Sequence, residues 1–156
     1  MVRMVFGLAL VLVVLVAFPS FGQQPLVGTY KMVSQIVETG GTPNENMGKA
    51  PRGYLVLTPT RAIAFYTAEN RKFGTSASEK AALFDTMGGW SETYRIDGGK
   101  FVFSVDASWT ENWNGTNVVR NWQLSGNHLT LTSDPQPFAR DPSKMVIIRQ
   151  VWQKVE

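Results

Sequence analysis

The sequence predicts an all-β fold, an eight-stranded antiparallel barrel with one short helix. Three features indicate it: short runs rich in β-branched and aromatic residues, two glycine-containing hairpin turns, and one helix-start pattern. Closing such strands into a barrel removes exposed sheet edges and leaves an interior for one small ligand. The 156 residues suit a single domain with a sizeable core.

Eight segments have strand character, because Val, Ile, Thr, Tyr, Phe and Trp are frequent in them and suit a pleated, half-buried surface. The segments are 26–38, 53–58, 62–67, 90–96, 100–109, 116–124, 128–133 and 145–153. Long loops are predicted at 40–51 and 134–143, where glycine, proline or asparagine are frequent.

One helix is predicted between the third and fourth strand segments. Ser76 and Glu79 stand at capping-box spacing, in which each side chain satisfies a backbone N–H group at the start of a helix. Good helix formers follow until Gly88 and Gly89. We expect this helix to plug or flank one end of the barrel.

Two tight turns, at 97–100 and 125–128, set the register of four strands, because a two-residue loop determines which residues face each other. The predicted pairs are Asp97–Lys100, Ile96–Phe101, Tyr94–Phe103, Glu92–Val105 and Trp90–Ala107 in the first hairpin, and Leu124–Leu129, Trp122–Leu131 and Arg120–Ser133 in the second. Both registers place large apolar residues on one face, as in a half-buried antiparallel sheet.

Glu92 and Arg120 break this alternation, because both fall on the apolar face of their strands. In a meander they are predicted on neighbouring rungs on either side of the middle strand, with backbones about 10 Å apart. A buried charge persists only when it is paired or in use. Two interpretations stay open: a buried ion pair that specifies the fold, or a polar anchor for a ligand carboxylate or carbonyl.

Aromatic residues supply the other candidates for a binding site. Five Trp and nine Phe are more than a solid core of this size needs, although each one alone favours an ordinary core position. Clustering around one cavity is what predicts a pocket. The predicted ligand-binding residues are Tyr54, Phe65, Glu92, Tyr94, Phe103, Trp113, Arg120 and Trp122.

The composition excludes several kinds of chemistry. The chain has no cysteine and a single histidine, which excludes disulfides, thiolate metal sites, thiol nucleophiles and multi-histidine metal sites. His128 lies beside a turn on the polar face, and Asp106 is predicted to point outward, so neither is assigned a catalytic role. The formal net charge of +3 is too small for a nucleic-acid interface. We expect no metal and no cofactor.

The segment 1–22 has the three regions of a secretory signal peptide. Arg3 is followed by an apolar run at 5–18, and the small residues Ser20 and Gly22 precede a cleavage site before Gln23. The run is shorter than the roughly 20 apolar residues of a membrane-spanning helix. The sequence therefore predicts a mature domain at 23–156 in a secreted or periplasmic location, free of the membrane after cleavage. The alternative is an uncleaved signal anchor.

Several segments resemble the lipocalin-like domain family of small bacterial and fungal proteins. They are LVGTYKMVS at 26–34, PRGYL at 51–55, YRI at 94–96, VDAS at 105–108, NW at 112–113 with Gly115 and Arg120, LTL at 129–131 and VW at 151–152. Two positions depart from the family pattern. Tyr30 replaces the usual Trp of the first strand, and Phe103 and Ser104 replace a His before the acidic residue of the middle strand. The second departure lowers any acid–base role there.

The resemblance implies a calycin-like barrel that holds a small hydrophobic molecule, with isomerases or cyclases among the relatives. Three functions stay open: an exported module that binds a small hydrophobic or amphipathic ligand, an isomerase or cyclase acting on such a molecule, and an interaction domain with a filled barrel. Cavity volume separates the first two from the third. A Glu92 far from Arg120, with its pKa raised by an apolar pocket, favours the enzyme, whereas a tight pair favours binding.

Overall fold

The computed structural model describes residues 26–138 and 141–156. The predicted signal peptide at 1–22, with its cleavage site, lies outside these residues. The elements are β1 (Gly28–Thr39), β2 (Thr42–Asn44), β3 (Arg52–Leu57), β4 (Arg61–Thr67), α1 (Ala77–Asp85), β5 (Met87–Asp97), β6 (Lys100–Ser108), a 3₁₀ helix (Glu111–Trp113), β7 (Asn117–Ser125), β8 (His128–Ser133), β9 (Gln136–Phe138) and β10 (Asp141–Lys154).

Eight strands close into an antiparallel barrel. Its strands β1 and β3 to β8 follow one another around the sheet, and β10 closes the ring by pairing with both β8 and β1. The predicted eight-stranded antiparallel barrel with one short helix is confirmed. The short strands β2 and β9 fall in the segments predicted as long loops, where they extend the overhanging ends of β1 and β10.

The tight turns have the predicted geometry, with Gly98, Gly99 and Gly126 at positive φ, as such hairpins require. Every predicted pair of the second hairpin is confirmed. The first is confirmed from Asp97–Lys100 to Glu92–Val105. The predicted pair Trp90–Ala107 is wrong, because a β-bulge beyond Glu92 makes Trp90 face Ser108 instead.

The barrel has two different ends. The closed end carries the tight turns at 58–61, 97–100 and 125–128, and the open end carries the longer connections. Large side chains pack in the closed half, and five of them are fully buried: Leu26, Tyr30, Phe101, Leu129 and Trp152. Burial of this apolar surface is the main stabilising contribution to the fold.

Helix α1 lies at the open end, outside the barrel. The predicted capping box is present: Ser76 Oγ accepts from the Glu79 N–H, and the Glu79 carboxylate accepts from the Ser76 N–H. None of the helix residues is buried, so the helix flanks the barrel and does not plug it. Its Phe84 ring packs on the Trp109 ring at a centroid distance of 4.9 Å. No helix among the described residues is long and apolar enough to cross a membrane.

Candidate functional site

A cluster of buried polar side chains occupies the barrel interior toward the open end. Its members, which we call the polar cluster, are Gln35, Glu92, Arg120, Ser133 and Gln150. Beyond it, Val37, Val146 and Ile148 form a small apolar group that is separate from the main core. The interior is therefore apolar at the closed end and polar toward the open end.

The two glutamines and the serine of the polar cluster have hydrogen-bond partners. Gln150 Nε2 donates to Gln35 Oε1 at 2.7 Å, and Gln35 Nε2 donates to Asn46 Oδ1 at 3.2 Å. Ser133 Oγ accepts from the Ile148 backbone N–H at 2.9 Å. These groups are satisfied within the protein, as buried polar groups usually are.

The Arg120 side chain is only partly satisfied. It projects inward from β7 and is 8% exposed. Its Nη1 donates to the Val119 carbonyl oxygen and to Gln136 Oε1, both at 3.0 Å, whereas Nε and Nη2 donate to no described residue. Burial lowers the pKa of the guanidinium to about 10, against the opposing effect of Glu92, so the group stays charged at neutral pH. A buried cation with unused donors is suited to bind an acceptor.

Glu92 projects into the same interior from β5 and is 4% exposed. Burial raises the pKa of its carboxyl group to about 8, although the charge of Arg120 and a hydrogen bond from the Trp90 side chain act in the opposite direction. Desolvation wins because it penalises the ionised form more than these neighbours favour it. Glu92 is therefore mostly protonated at neutral pH.

The ion pairs of the described residues do not include one between Glu92 and Arg120. Arg120 of β7 pairs with Phe101 of β6, and Phe101 pairs with Ile96 of β5. Arg120 is therefore in register with Ile96, which is four residues along β5 from Glu92. The prediction that the two lie on neighbouring rungs is wrong. The β6–β7 connection is long, and no tight turn in the sequence set the register of that pair of strands. A direct ion pair therefore does not account for the two buried charges.

Two small cavities lie in this part of the barrel. The first has a volume of about 20 Å³ and is lined by Glu92 and Arg120 among others. The second, about 30 Å³, extends toward Trp109 and the open end. Four residues, which we call the shared wall, line both cavities: Trp90, Trp113, Arg120 and Gln150. Each cavity has room for one or two water molecules, so an organic ligand requires this wall to move.

The wall is built largely from aromatic rings. Trp90 contacts Tyr66 at a centroid distance of 5.5 Å and Trp113 at 6.1 Å, both edge to face. Trp113 belongs to the 3₁₀ helix of the β6–β7 connection and is only half-buried. A ring on a connection at the barrel mouth has more freedom to move than a ring within a strand.

The structure brings four of the predicted site residues together. Glu92, Phe103, Trp113 and Arg120 line the first cavity. That they bind a ligand stays a prediction.

Tyr94 belongs to the main core and Trp122 packs against it, and neither lines the two cavities. The Tyr94 hydroxyl donates to the Thr58 carbonyl oxygen at 2.6 Å, and its ring packs on Phe101 and Phe103. Trp122 packs against the ring of Phe101. Their positions indicate packing roles.

Tyr54 and Phe65 are on the outer surface, and their predicted place near the cavity is wrong. They face each other across β3 and β4 and are 52% and 55% exposed. The alternate positions Leu55 and Ala64 point inward instead. Both faces of these strands carry apolar residues, so the sequence alternation did not distinguish inside from outside.

Sequence reasoning missed the two glutamines of the polar cluster. Gln150 stands between Ile148 and Trp152 on the inward face of β10, the same signal that identified Arg120. Gln35 was hidden by an irregularity between Met32 and Ser34 in β1, which shifts the inward alternation by one residue.

The two residues that the sequence assigned no catalytic role lie outside the barrel. His128 is exposed, and the exposed Asp106 forms an ion pair with Arg61, whose hydrogen bond lowers the pKa of the carboxylate. The predicted outward position of Asp106 is confirmed. Among residues 26–138 and 141–156, no cluster of His, Asp and Glu side chains suits a metal ion.

Comparison with known proteins gives one family. Residues 27–155 match the model of a family described as the lipocalin-like domain. This match spans the whole barrel from before β1 to the end of β10. No curated protein matches the chain.

Proposed function

The chain belongs to the lipocalin-like domain family, and on that premise we propose that it binds a small hydrophobic or amphipathic ligand inside the barrel. The environment of Arg120 carries this proposal. Its side chain is buried beside a cavity, and its Nε and Nη2 atoms donate hydrogen bonds to no described residue. A buried guanidinium with only part of its donors in use is costly, and a ligand acceptor would relieve that cost.

The ligand takes a defined orientation in this proposal. Its polar end contacts Arg120, and its apolar body lies against the indole rings of Trp90 and Trp113. Since these residues also line both cavities, the shared wall opens on binding and the cavities merge. The site lies toward the open end, where Trp109 lines the second cavity.

Native mass spectrometry of the purified protein tests the proposal. We expect a co-purified small molecule on the wild-type protein, reduced at least about 10-fold in Arg120→Met, since a lost charged hydrogen bond costs that much affinity. Arg149→Met, the same change on the exposed side of β10, is the matched control and retains the molecule. A protein that carries no molecule and takes up no apolar probe would instead be a filled interaction domain.

A second function, an isomerase or cyclase acting on a small hydrophobic substrate, is favoured by Glu92. Its carboxyl group forms no ion pair with a described residue, lines a cavity and has a pKa raised to about 8, close to the working range of a general acid or base. Glu92→Gln separates the two functions. A binding protein retains its ligand in this variant, whereas an enzyme binds substrate and loses turnover.

Export is part of the proposal. Removal of residues 1–22 gives a secreted or periplasmic domain beginning near Gln23, with no membrane or nucleic-acid partner. Mass analysis of the protein in the extracellular or periplasmic fraction checks this, with an intact Met1 species in the cytosol as the contrary result.

A further inference from the structure

The charges that line the two cavities do not balance. Of the described residues around them, only Glu92 and Arg120 have acidic or basic side chains. Burial keeps Glu92 mostly protonated at neutral pH, its pKa being about 8, while Arg120 stays protonated. The described residues around the cavities thus carry one buried positive charge, which favours a partner of opposite charge.

We propose that the ligand is a weak organic acid, bound as its anion, whose carboxylate or phenolate pairs with Arg120 while the protonated carboxyl group of Glu92 donates a hydrogen bond to it. This inference rests on the proposed function and names its ligand class. One anion neutralises the charge of Arg120 and accepts hydrogen bonds from the side chains of both Arg120 and Glu92. A neutral alcohol leaves the guanidinium charge unbalanced, and an amine adds a second positive charge.

The geometry provides the donors for such a head group. Arg120 Nε and Nη2 donate to no described residue, and Nη1 donates to Gln136 Oε1 and the Val119 carbonyl oxygen, which orient the guanidinium. Gln150 Nε2 donates to Gln35 Oε1, so the Gln35 oxygen already has a donor and does not compete with the anion for Arg120. The aromatic wall formed by Trp90 and Trp113 lies beside the head-group position and suits an apolar body.

Binding depends on pH through Glu92. The charged and titratable groups that act on the pair are Asp106 from β6, Tyr66 from β4 and Asp134 from the segment after β8. Asp106 and Asp134 are exposed and ion-paired with Arg61 and Lys100. Raising the pH through 8 ionises Glu92, which places a second anion beside the ligand and removes its hydrogen-bond donor.

Calorimetric titration with a matched set of probes tests the inference: 3-phenylpropionate, 3-phenylpropan-1-ol and 3-phenylpropylamine, with acetate as the head group alone. At pH 7 we expect the propionate to bind at least about 10-fold more tightly than the alcohol, the amine or acetate. Arg120→Met abolishes the preference for the propionate over the alcohol and the amine, and Arg149→Met retains it. Between pH 7 and pH 9 the affinity for the propionate falls about 10-fold because Glu92 loses its proton. In Glu92→Gln, which has no such proton, the affinity does not fall.

The outcomes distinguish this inference from the proposed function. Equal or tighter binding of the alcohol or amine overturns the acid ligand and leaves the binding function standing. Acetate binding as tightly as the propionate shows a small-anion site and also overturns it. If none of the probes binds, and no molecule co-purifies, both proposals fail. If Arg120→Met does not fold, the pH dependence of propionate binding still tests the inference. It must be present in the wild-type protein and absent in Glu92→Gln.

Discussion

The two ends of the barrel interior differ in what they bury: aromatic rings at the closed end, and charged side chains beside cavities toward the open end. At the closed end, the rings of Phe101 and Phe103 stack at 5.0 Å, and Tyr94 meets Phe101 edge to face at 5.2 Å. Toward the open end, β5 places Glu92 beside the first cavity, and β7 places Arg120 beside both cavities. The closed-end core and the candidate site therefore occupy different parts of one interior, and Phe103 belongs to both, since it stacks on Phe101 and lines the first cavity.

This separation predicts that the largest loss of stability comes from the closed end. Phe101→Ala removes a fully buried ring that contacts three other aromatic rings, and we expect a decrease of about 3–5 kcal/mol in the free energy of unfolding. Trp113→Ala, on the half-buried wall beside the cavities, costs less because its surroundings are less closely packed. Urea unfolding of both variants checks the order. Equal losses would contradict the division into two halves.

The next largest effect concerns Glu92: we expect its buried carboxyl group to make the free energy of unfolding depend on pH. Its folded pKa of about 8 lies above its ordinary value of 4.5. The unfolded chain therefore releases this proton first, and the free energy of unfolding falls as the pH rises from about 5 to about 8. The slope attributable to Glu92 is at most about 1.4 kcal/mol per pH unit.

Glu92→Gln is the control for this effect, since a neutral amide of similar shape has no proton to release. Unfolding curves at several pH values should show that the wild-type stability declines more steeply than that of the variant. Parallel curves would mean that the folded protein does not hold Glu92 in its protonated form.

The capping residue of α1 predicts a smaller effect at the open end. Ser76→Ala removes the side-chain acceptor for the Glu79 N–H, and such a change costs about 1 kcal/mol of helix stability. Because no residue of α1 is buried, we expect the loss to be local. Hydrogen exchange of the α1 amides should accelerate while that of β5 and β6 is unchanged. Accelerated exchange in the strands would show that α1 supports the barrel.

The same comparison explains what the sequence could predict. Near the closed end, two-residue turns set the strand register, so the pairs Tyr94–Phe103 and Trp122–Leu131 were correct. Toward the open end, the bulge beyond Glu92 and the long β6–β7 connection shift the register in ways that no local pattern records. The inward charge of Arg120 was predictable from its place between Val118 and Trp122, but its distance in register from Glu92 was not.

A comparison of Arg120→Met with Arg149→Met, for both stability and ligand retention, decides whether the open end of the barrel is a ligand site. If the open end is a ligand site, Arg120→Met stays folded, because Glu92 is mostly neutral and is not left as a stranded ion, and it loses at least about 10-fold of the ligand seen by native mass spectrometry. Arg149→Met changes neither property. A loss of about 3–5 kcal/mol in Arg120→Met that Glu92→Gln restores would instead show a buried ion pair and contradict the account.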